Sequence, residues 1–252
     1  MIFYRVRRHP FPVEAFFSHS LVLTFAYPAT LLQRLLPPGL TVDRYDDYGF
    51  LAIAMVQTKR LHPSFLPEAL GVDFFLTGYR IFARLSTRPS LRGLRILRSD
   101  TDRRLMALGG NLLTHYGYVR CRASVDNIDD RLAIHVESPG RVADLDVVAD
   151  LRSRPAPLPA GTPFRSLEDA RRFAGPLPYT FDYEPETHSI VMIRATRSHW
   201  EPQPISVELR KATFLERPPF SAATPVLANA FYVENIPYRW ERGQVEPLPK
   251  AA

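Results

Sequence analysis

The chain has 252 residues, of which 46% are hydrophobic and 23% are charged. This is the composition of a globular protein, which excludes a disordered or collagen-like chain and leaves room for one large domain. The net charge is +6, yet the basic residues are spread along the sequence without a recognisable nucleic-acid-binding module, so we predict no nucleic-acid partner. Twenty-four prolines argue against long helices, because proline ends a helix wherever it falls inside one.

Cysteine content and hydropathy predict the compartment. Cys121 is the only cysteine, so no intrachain disulfide is possible, which fits a reducing environment. The first ten residues, MIFYRVRRHP, lack the uninterrupted apolar run of a signal peptide, and the apolar stretch 16–36 is interrupted by polar residues and a proline. We therefore expect a cytoplasmic protein with no membrane partner.

Apolar runs bounded by turns predict strands in the first part of the chain. Residues 20–27 predict a buried strand, after which Pro28 opens a short helix that is ended by Pro37-Pro38-Gly39. Further strands are predicted over residues 40–45, 50–59, 72–86 and 93–98.

A short helix is predicted over residues 101–108. Asp100 or Thr101 is its expected N-cap, and Gly109-Gly110 is expected to end it, because glycine is favoured just past a helix C-terminus.

The residues that follow carry the most specific pattern of the chain. A polar corner is predicted over residues 111–115, and residues 116–125 then alternate strictly, which predicts one strand with a packed face and a polar face. A polar face that bears tyrosine and arginine suits the binding of a carboxylate, and it equally suits an ordinary solvated surface.

The second part of the chain is also rich in predicted strands. Residues 152–163 are the best linker candidate, yet the segment is short, so we predict a single domain over residues 1–252. Ser166 is the expected N-cap of a helix that runs to Phe173. Strands are predicted over residues 131–137, 142–151, 178–183, 189–197, 206–216 and 229–239. Many strands with a few short helices favour a mainly β fold with a closed or strongly curved antiparallel sheet.

Three landmarks, in this order, resemble a known family. They are LLPPGL at residues 35–40, the Gly-Tyr-Arg strand at residues 78–80, and Arg92-Gly93 leading into SDTDRRLMALGGNLLTHYGY. Together they are similar to the uncharacterised YqjF-like family of the acetoacetate decarboxylase-like superfamily, over residues 20–125 in particular. The resemblance implies an antiparallel double β-barrel with a few short peripheral helices and an internal pocket.

The chain departs from the superfamily at its catalytic lysines. Acetoacetate decarboxylases carry a lysine pair after a Gly-Arg-Glu corner, and one lysine forms a Schiff base with the substrate ketone. The comparable corner here is residues 110–112, and no lysine lies between Lys59 and Lys211. We expect these two lysines at solvated strand ends and Lys250 in a polar tail, so the resemblance does not carry Schiff-base chemistry to this chain.

The resemblance suggests catalytic candidates near the floor of the implied pocket. His115 would handle a proton, because the pKa of histidine lies near neutrality, and Tyr116 and Tyr118 would shape and polarise the site. Asn111, at the preceding corner, is a binding candidate. The alternative is that His115 bonds a backbone carbonyl and that the tyrosines line a rim.

Three arginines are candidates for holding a substrate carboxylate. Arg80 falls in the middle of an apolar strand, so it must reach solvent, find a carboxylate partner or line a polar cavity. Asp73 or Asp100 is the expected partner if the arginine forms a buried ion pair. Arg95 and Arg120 are weaker candidates for the same role.

Two segments near the C-terminus leave alternatives open. Arg197, His199 and Trp200 would either gate a pocket or pack at a corner. The aromatic stretch 230–240 could form an oligomer or partner surface.

The sequence thus predicts binding of a small organic acid or oxo-acid in an internal pocket. Any transformation would be non-covalent, such as enolisation, hydration or isomerisation, and whether the chain is an enzyme stays open. The second hypothesis is a non-catalytic ligand-sensing or protein-interaction barrel, and homo-oligomer formation is compatible with both. Neither a metal-ligand motif nor a phosphate-binding loop is found, so we predict no cofactor and no metal.

Overall fold

A computed structural model describes residues 3–175 and 177–249, and strands dominate it. In chain order the strands are β1 (Val13–Pro28), β2 (Leu40–Val42), β3 (Tyr48–Pro63), β4 (Val72–Leu85), β5 (Arg88–Thr101), β6 (Tyr118–Arg120), β7 (Arg122–Ile128), β8 (Arg131–Glu137), β9 (Leu145–Asp150), β10 (Tyr179–Glu184), β11 (Ser189–Arg197), β12 (Gln203–Pro204), β13 (Ser206–Ala212), β14 (Val226–Trp240) and β15 (Gln244–Pro247). The α-helices are α1 (Phe3–Val6), α2 (Ala29–Gln33), α3 (Arg104–Leu113) and α4 (Leu167–Phe173). The predicted mainly β fold with a few short helices is confirmed.

Seven strands form a closed ring. They follow the order β14, β1, β3, β4, β5, β10 and β11, and β11 pairs again with β14 through Ala195 and Trp240. Neighbouring strands are antiparallel except β5 and β10, which pair in parallel through Gly93 and Tyr179. A closed ring has an inner face, which encloses space, and an outer face. Apolar residues on the outer face must be buried by another part of the chain.

A second, antiparallel sheet covers part of the outer face. Its strands follow the order β13, β9, β8 and β7. One core cluster joins the outward residues of β1, β3 and β4 to Ile134 on β8 and Val147 on β9. The hairpin between β7 and β8 turns at Asp129 and Asp130, whose φ angles are both positive (50° and 60°), as a two-residue turn of type I′ requires.

The alternation of large and small residues on β3 explains why the ring holds space. Leu51, Ile53 and Met55 are fully buried on the outer face, where they pack in the cluster that includes the second sheet. Ala52 and Ala54 point to the inner face, because successive strand residues face opposite sides. Small inward side chains on a strand that is packed outside leave a cavity within the ring.

The predicted single strand over residues 116–125 is wrong. It is two strands, because β6 pairs in parallel with β5 while β7 belongs to the second sheet. The backbone N–H of Cys121 still donates to Thr101 O at 2.8 Å, and the chain then leaves the ring. Alternation reports the two faces of a strand and does not report which sheet the strand joins.

The predicted helix over residues 101–108 is displaced. In the structure α3 runs through Gly109 and Gly110 to Leu113, and Asp100 and Thr101 belong to β5. The expected cap is therefore wrong, and Arg103 holds the N-cap position without a side-chain hydrogen bond.

The interaction surface predicted over residues 230–240 is also wrong. This stretch lies in β14, a ring strand, and Phe231 and Tyr232 are buried. Tyr238 and Trp240 are half-buried against the inner cluster, so these aromatic rings build the ring's interior. Among the described residues, none of the helices has the length and apolarity to cross a membrane.

Candidate functional site

The ring encloses a cavity of about 350 Å³. Inward side chains of β1, β3, β4, β5 and β14 line it, together with α3 and the segment that follows α4. Most of the wall is apolar, as in Val56, Leu76 and Phe82, and the polar groups are few. A concave, largely apolar space with a few convergent polar groups is the typical form of a small-molecule site.

Arg80 is one of two arginines that line this cavity, the other being Arg197. It lies on the inner face of β4, and its guanidinium folds over Gly78, where an added Cβ would lie 2.8 Å from Arg80 Nε. The absence of a side chain at position 78 therefore makes room for the guanidinium. Nε has no hydrogen-bond partner, and within the described part of the chain no carboxylate offsets the burial that lowers the pKa of Arg80.

The carboxylates expected to pair with Arg80 have other partners. Asp73 accepts from Lys59 Nζ at 3.0 Å on the surface. Asp100 is fully buried and accepts from Arg98, with its Oδ1 2.7 Å from Nη2. Of the three expectations for Arg80, the structure supports the one in which it lines a cavity.

Tyr116 and Tyr118 also line the cavity, close to Arg80. Their rings lie 6.2 Å apart between centroids, and the hydroxyl of Tyr116 is buried without a hydrogen-bond partner. Burial raises the pKa of both hydroxyls, and the positive charge of Arg80 opposes this rise. Both groups are therefore neutral at pH 7, so each can donate a hydrogen bond to an anion near Arg80.

His9 is a cavity residue that the sequence analysis missed. It is buried, its Nδ1 has no partner, and burial lowers its pKa to about 4, against an opposing hydrogen bond with the backbone of Glu241. The backbone N–H of His9 donates to Leu113 O, and its backbone carbonyl accepts from Gly243 N, both at 2.9 Å. These contacts join distant parts of the chain, so no local pattern indicated that His9 would reach the cavity.

Arg197 and Trp200 lie on the cavity wall, whereas His199 is exposed outside it. The guanidinium of Arg197 lies 4.7 Å from the Trp200 ring centroid and 5.4 Å from that of Tyr238. Its Nη2 donates to Leu177 O at 3.3 Å. Arg197 is thus held by aromatic faces and a carbonyl, while Arg80 is not.

The other predicted site residues lie outside the cavity lining. Asn111 exchanges two hydrogen bonds with the backbone of Tyr118, at 2.8 and 2.7 Å, so it ties α3 to β6. Arg95 forms an ion pair with Asp182, and Arg120 is exposed. Their predicted binding roles stay predictions without geometric support.

His115 likewise does not line the cavity. Its Nε2 is buried without a partner, and burial, followed by the positive charge of Arg7, lowers its pKa. Glu184 and Glu186 oppose this shift, so His115 faces a charged region of the protein and not the apolar cavity. A direct role in proton transfer within the cavity would require His9 or a tyrosine instead.

Neither described lysine reaches the cavity. Lys59 pairs with Asp73, as noted above, and Lys211 Nζ donates to Asp144 Oδ2 at 3.0 Å. Lys250 lies outside the described residues. Within the described residues, no group of three or more His, Cys, Asp or Glu side chains is placed to hold a metal ion.

Solved structures with the same fold are acetoacetate decarboxylases and related proteins. Acetoacetate decarboxylase from Legionella pneumophila is 13% identical, with a TM-score of 0.64 over 94% of this chain and 87% of that chain. The enduracididine biosynthesis enzyme MppR complexed with pyruvate is 14% identical, with a TM-score of 0.62 over 94% and 90%. An acetoacetate decarboxylase-like enzyme from Sphingomonas wittichii is 13% identical, with a TM-score of 0.61 over 95% and 94%. At these identities the likeness establishes the fold.

The chain belongs to the DUF2071 family of uncharacterized conserved proteins, whose model matches residues 14–245. Comparison with curated proteins gives no significant match. The predicted membership of an uncharacterised family with an acetoacetate decarboxylase-like fold is confirmed.

Proposed function

We propose that this protein binds a small organic acid non-covalently in the ring cavity, with the carboxylate held by Arg80. The observation that carries the proposal is a buried guanidinium without a carboxylate partner in a largely apolar cavity. An arginine presents planar donors that match a carboxylate, and burial without a counter-ion is unfavourable until an anion arrives. MppR, which shares the fold, has been solved with pyruvate, an anion of this class.

The neighbouring groups suit the same ligand. Tyr116 and Tyr118 supply neutral hydroxyl groups beside Arg80, so a bound carboxylate or carbonyl oxygen can accept further hydrogen bonds. Lys59 and Lys211 form ion pairs with Asp73 and Asp144 away from the cavity lining, so the proposed binding does not involve a Schiff base.

The proposal is tested by thermal unfolding with a panel of oxo-acids, hydroxy-acids and simple carboxylates, each compared with its amide. A ligand that binds only the folded state adds about 2.7 kcal/mol at a concentration ~100 times its Kd. We expect stabilisation by acids, little by amides, and loss of the difference in Arg80→Met. The variant Arg122→Gln, at an exposed arginine of the second sheet, is the matched control and should behave as the wild type. Equal stabilisation by acids and amides would overturn the proposal.

A second candidate function is proton transfer on the bound acid. It is favoured by His9, whose Nδ1 is unpaired and whose lowered pKa keeps the ring neutral at pH 7, as a general base requires. If an oxo-acid enolises in the cavity, deuterium from solvent should enter at the carbon next to its keto group, and His9→Asn should slow the exchange without abolishing binding. Binding without exchange would leave a ligand-sensing protein.

A further inference from the structure

The shape of the cavity beyond Arg80 narrows the class of acid, and this step rests on the function proposed above. We propose that the ligand is an amphipathic monocarboxylate, with its carboxylate at Arg80 and an alkyl tail that extends along the ring toward α3. The volume of the cavity, the polarity of its wall and the composition of its mouth all favour such a ligand.

The cavity is large for a short oxo-acid. Its volume of about 350 Å³ equals the liquid share of roughly twelve water molecules, at ~30 Å³ each. An acid of three or four carbons at Arg80 would leave most of this space to water. Water against apolar walls is unfavourable, so a ligand that fills the space with apolar surface binds more tightly.

The wall between Arg80 and α3 is mostly apolar, although Ser20 and Thr58 also line it. On β4 the inward residues Leu76, Phe74 and Val72 precede Arg80, and Val56 lies across from Leu76 on β3. From Val72 to Arg80 the strand rises by eight residue steps, roughly 26 Å at ~3.3 Å per step. The guanidinium of Arg80 therefore lies deep in the cavity. The mostly apolar wall that leads to it suits an alkyl tail.

The mouth of the cavity, formed by Pro63, Val72 and Leu105, is apolar as well. Leu105 lines the cavity and is also 74% exposed, so the lining reaches the protein surface here. Leu108 and Leu112 extend the exposed apolar stripe along α3. The cavity thus opens on the α3 side, and a ligand enters carboxylate first.

The experiment measures Kd by calorimetry for pyruvate, butyrate, hexanoate, octanoate and decanoate, with octanamide and octanol as uncharged controls. We expect about fourfold tighter binding per added methylene, the factor that corresponds to ~0.8 kcal/mol per buried CH₂. Octanoate should bind more tightly than octanamide, and Arg80→Met should remove that preference.

A variant of the wall separates a specific tail site from simple partitioning. Val56→Phe narrows the path between Arg80 and the mouth, so it should weaken octanoate and decanoate while it leaves butyrate unchanged. Arg122→Gln, on the second sheet, is the control and should match the wild type throughout. Thermal unfolding without ligand establishes that each variant is folded.

The outcomes distinguish this inference from the function on which it rests. If short acids bind at Arg80 and affinity is flat with tail length, the tail site is refuted and acid binding stands. If affinity rises equally for acid, amide and the Arg80→Met variant, the long compounds merely partition, and the inference is refuted. If no carboxylate of any length binds, acid binding itself fails.

Discussion

Tyr79 and Arg80 are neighbours on β4, yet they face opposite sides of the ring and have opposite surroundings. Tyr79, on the outer face, is 1% exposed, and its hydroxyl donates to Ala143 O at 3.2 Å. Its ring lies 4.2 Å from that of Phe214 between centroids. Arg80, on the inner face, lines the cavity and has a buried Nε without a hydrogen-bond partner. The hydrogen-bonding group of Tyr79 thus has a partner within the fold, whereas Arg80 retains a strong donor without one.

Arg84 shows that the chain pairs an arginine where the fold depends on it. Four residues beyond Arg80 on the same strand, Arg84 Nε donates to Asp43 Oδ1 at 2.6 Å, and Arg92 Nε donates to Oδ2 at 2.6 Å. Asp43 is fully buried. Unpaired charge is therefore not a general property of the arginines of this strand, which is why a ligand is the better explanation for Arg80.

The largest expected loss of stability comes from a substitution on the outer face of the ring. Tyr79→Ala removes a fully packed ring and should lower the free energy of unfolding by about 3–5 kcal/mol, measured by urea denaturation. Tyr79→Phe keeps the packing and loses the hydrogen bond to Ala143, so it should cost about 1 kcal/mol. Nearly equal stabilities for Tyr79→Ala and the wild type would mean that the outer face is not the packed side of the ring.

His9, on the cavity side of the ring, should make the free energy of unfolding depend on pH. Burial lowers its pKa from 6.5 to about 4, so between these values the unfolded chain binds a proton that the folded protein does not. The contribution of His9 to stability is constant above pH 6.5 and is lost as the pH falls toward 4, by up to about 3 kcal/mol.

The variant His9→Asn tests this assignment, because asparagine tolerates the positive φ of 53° and does not titrate. Urea denaturation between pH 7 and pH 5 should show a smaller loss of stability in the variant. His19 and His115 also have pKa values lowered by burial, so part of the dependence should persist. An unchanged slope would place the titration elsewhere.

The comparison of the two arginines on β4 predicts effects of opposite sign. Arg80→Met removes a buried charge that has no partner, so it should raise the free energy of unfolding by about 1–2 kcal/mol in the absence of ligand. Arg84→Met breaks the ion pair with Asp43 and should lower the free energy of unfolding by a similar amount. Calorimetric unfolding of both variants checks this, and a loss of stability in Arg80→Met would indicate a structural role for Arg80.

Strands with local signals were predictable from the sequence. The spans of β8 and β11 match residues 131–137 and 189–197, since turns bound each apolar run. Ser166 caps α4 as predicted, and its Oγ accepts from Asp169 N at 3.0 Å. The cavity location of Arg80 was one of three predicted alternatives, because a charged residue in an apolar strand has few places to go.

The features that depend on distant contacts were not predictable. His9 reaches the cavity through backbone bonds to Leu113 and Gly243, which are far away in the sequence. The division of residues 116–125 between two sheets has no local signal, because period-two alternation is the same in both. His115 was placed in the pocket by resemblance alone, and the structure turns it toward charged groups. Local sequence patterns thus predicted the strands and, as one of three alternatives, a cavity location for Arg80. The other cavity residues are brought there by contacts between segments that are distant in the sequence.

The glycines that misled the helix prediction supply the last and smallest test, since they lie on different sides of α3. An added Cβ at Gly110 would lie 2.4 Å from the Tyr118 ring, whereas one at Gly109 would have no atom within 4 Å. Gly110→Ala should therefore push the helix from the cavity wall and lower stability by about 1 kcal/mol.

Gly109→Ala should instead raise stability by about 0.5 kcal/mol, because alanine restricts the unfolded chain and favours the helix. Thermal unfolding of the two variants measures both signs in one experiment. If both substitutions stabilise, Tyr118 yields to the new methyl group and the α3 wall of the cavity is not closely packed. If both destabilise, α3 does not continue through Gly109. Effects of opposite sign would establish that position 110 requires a glycine because the Tyr118 ring packs against it. The glycine would then be explained by the packing of the cavity wall and not by the end of a helix.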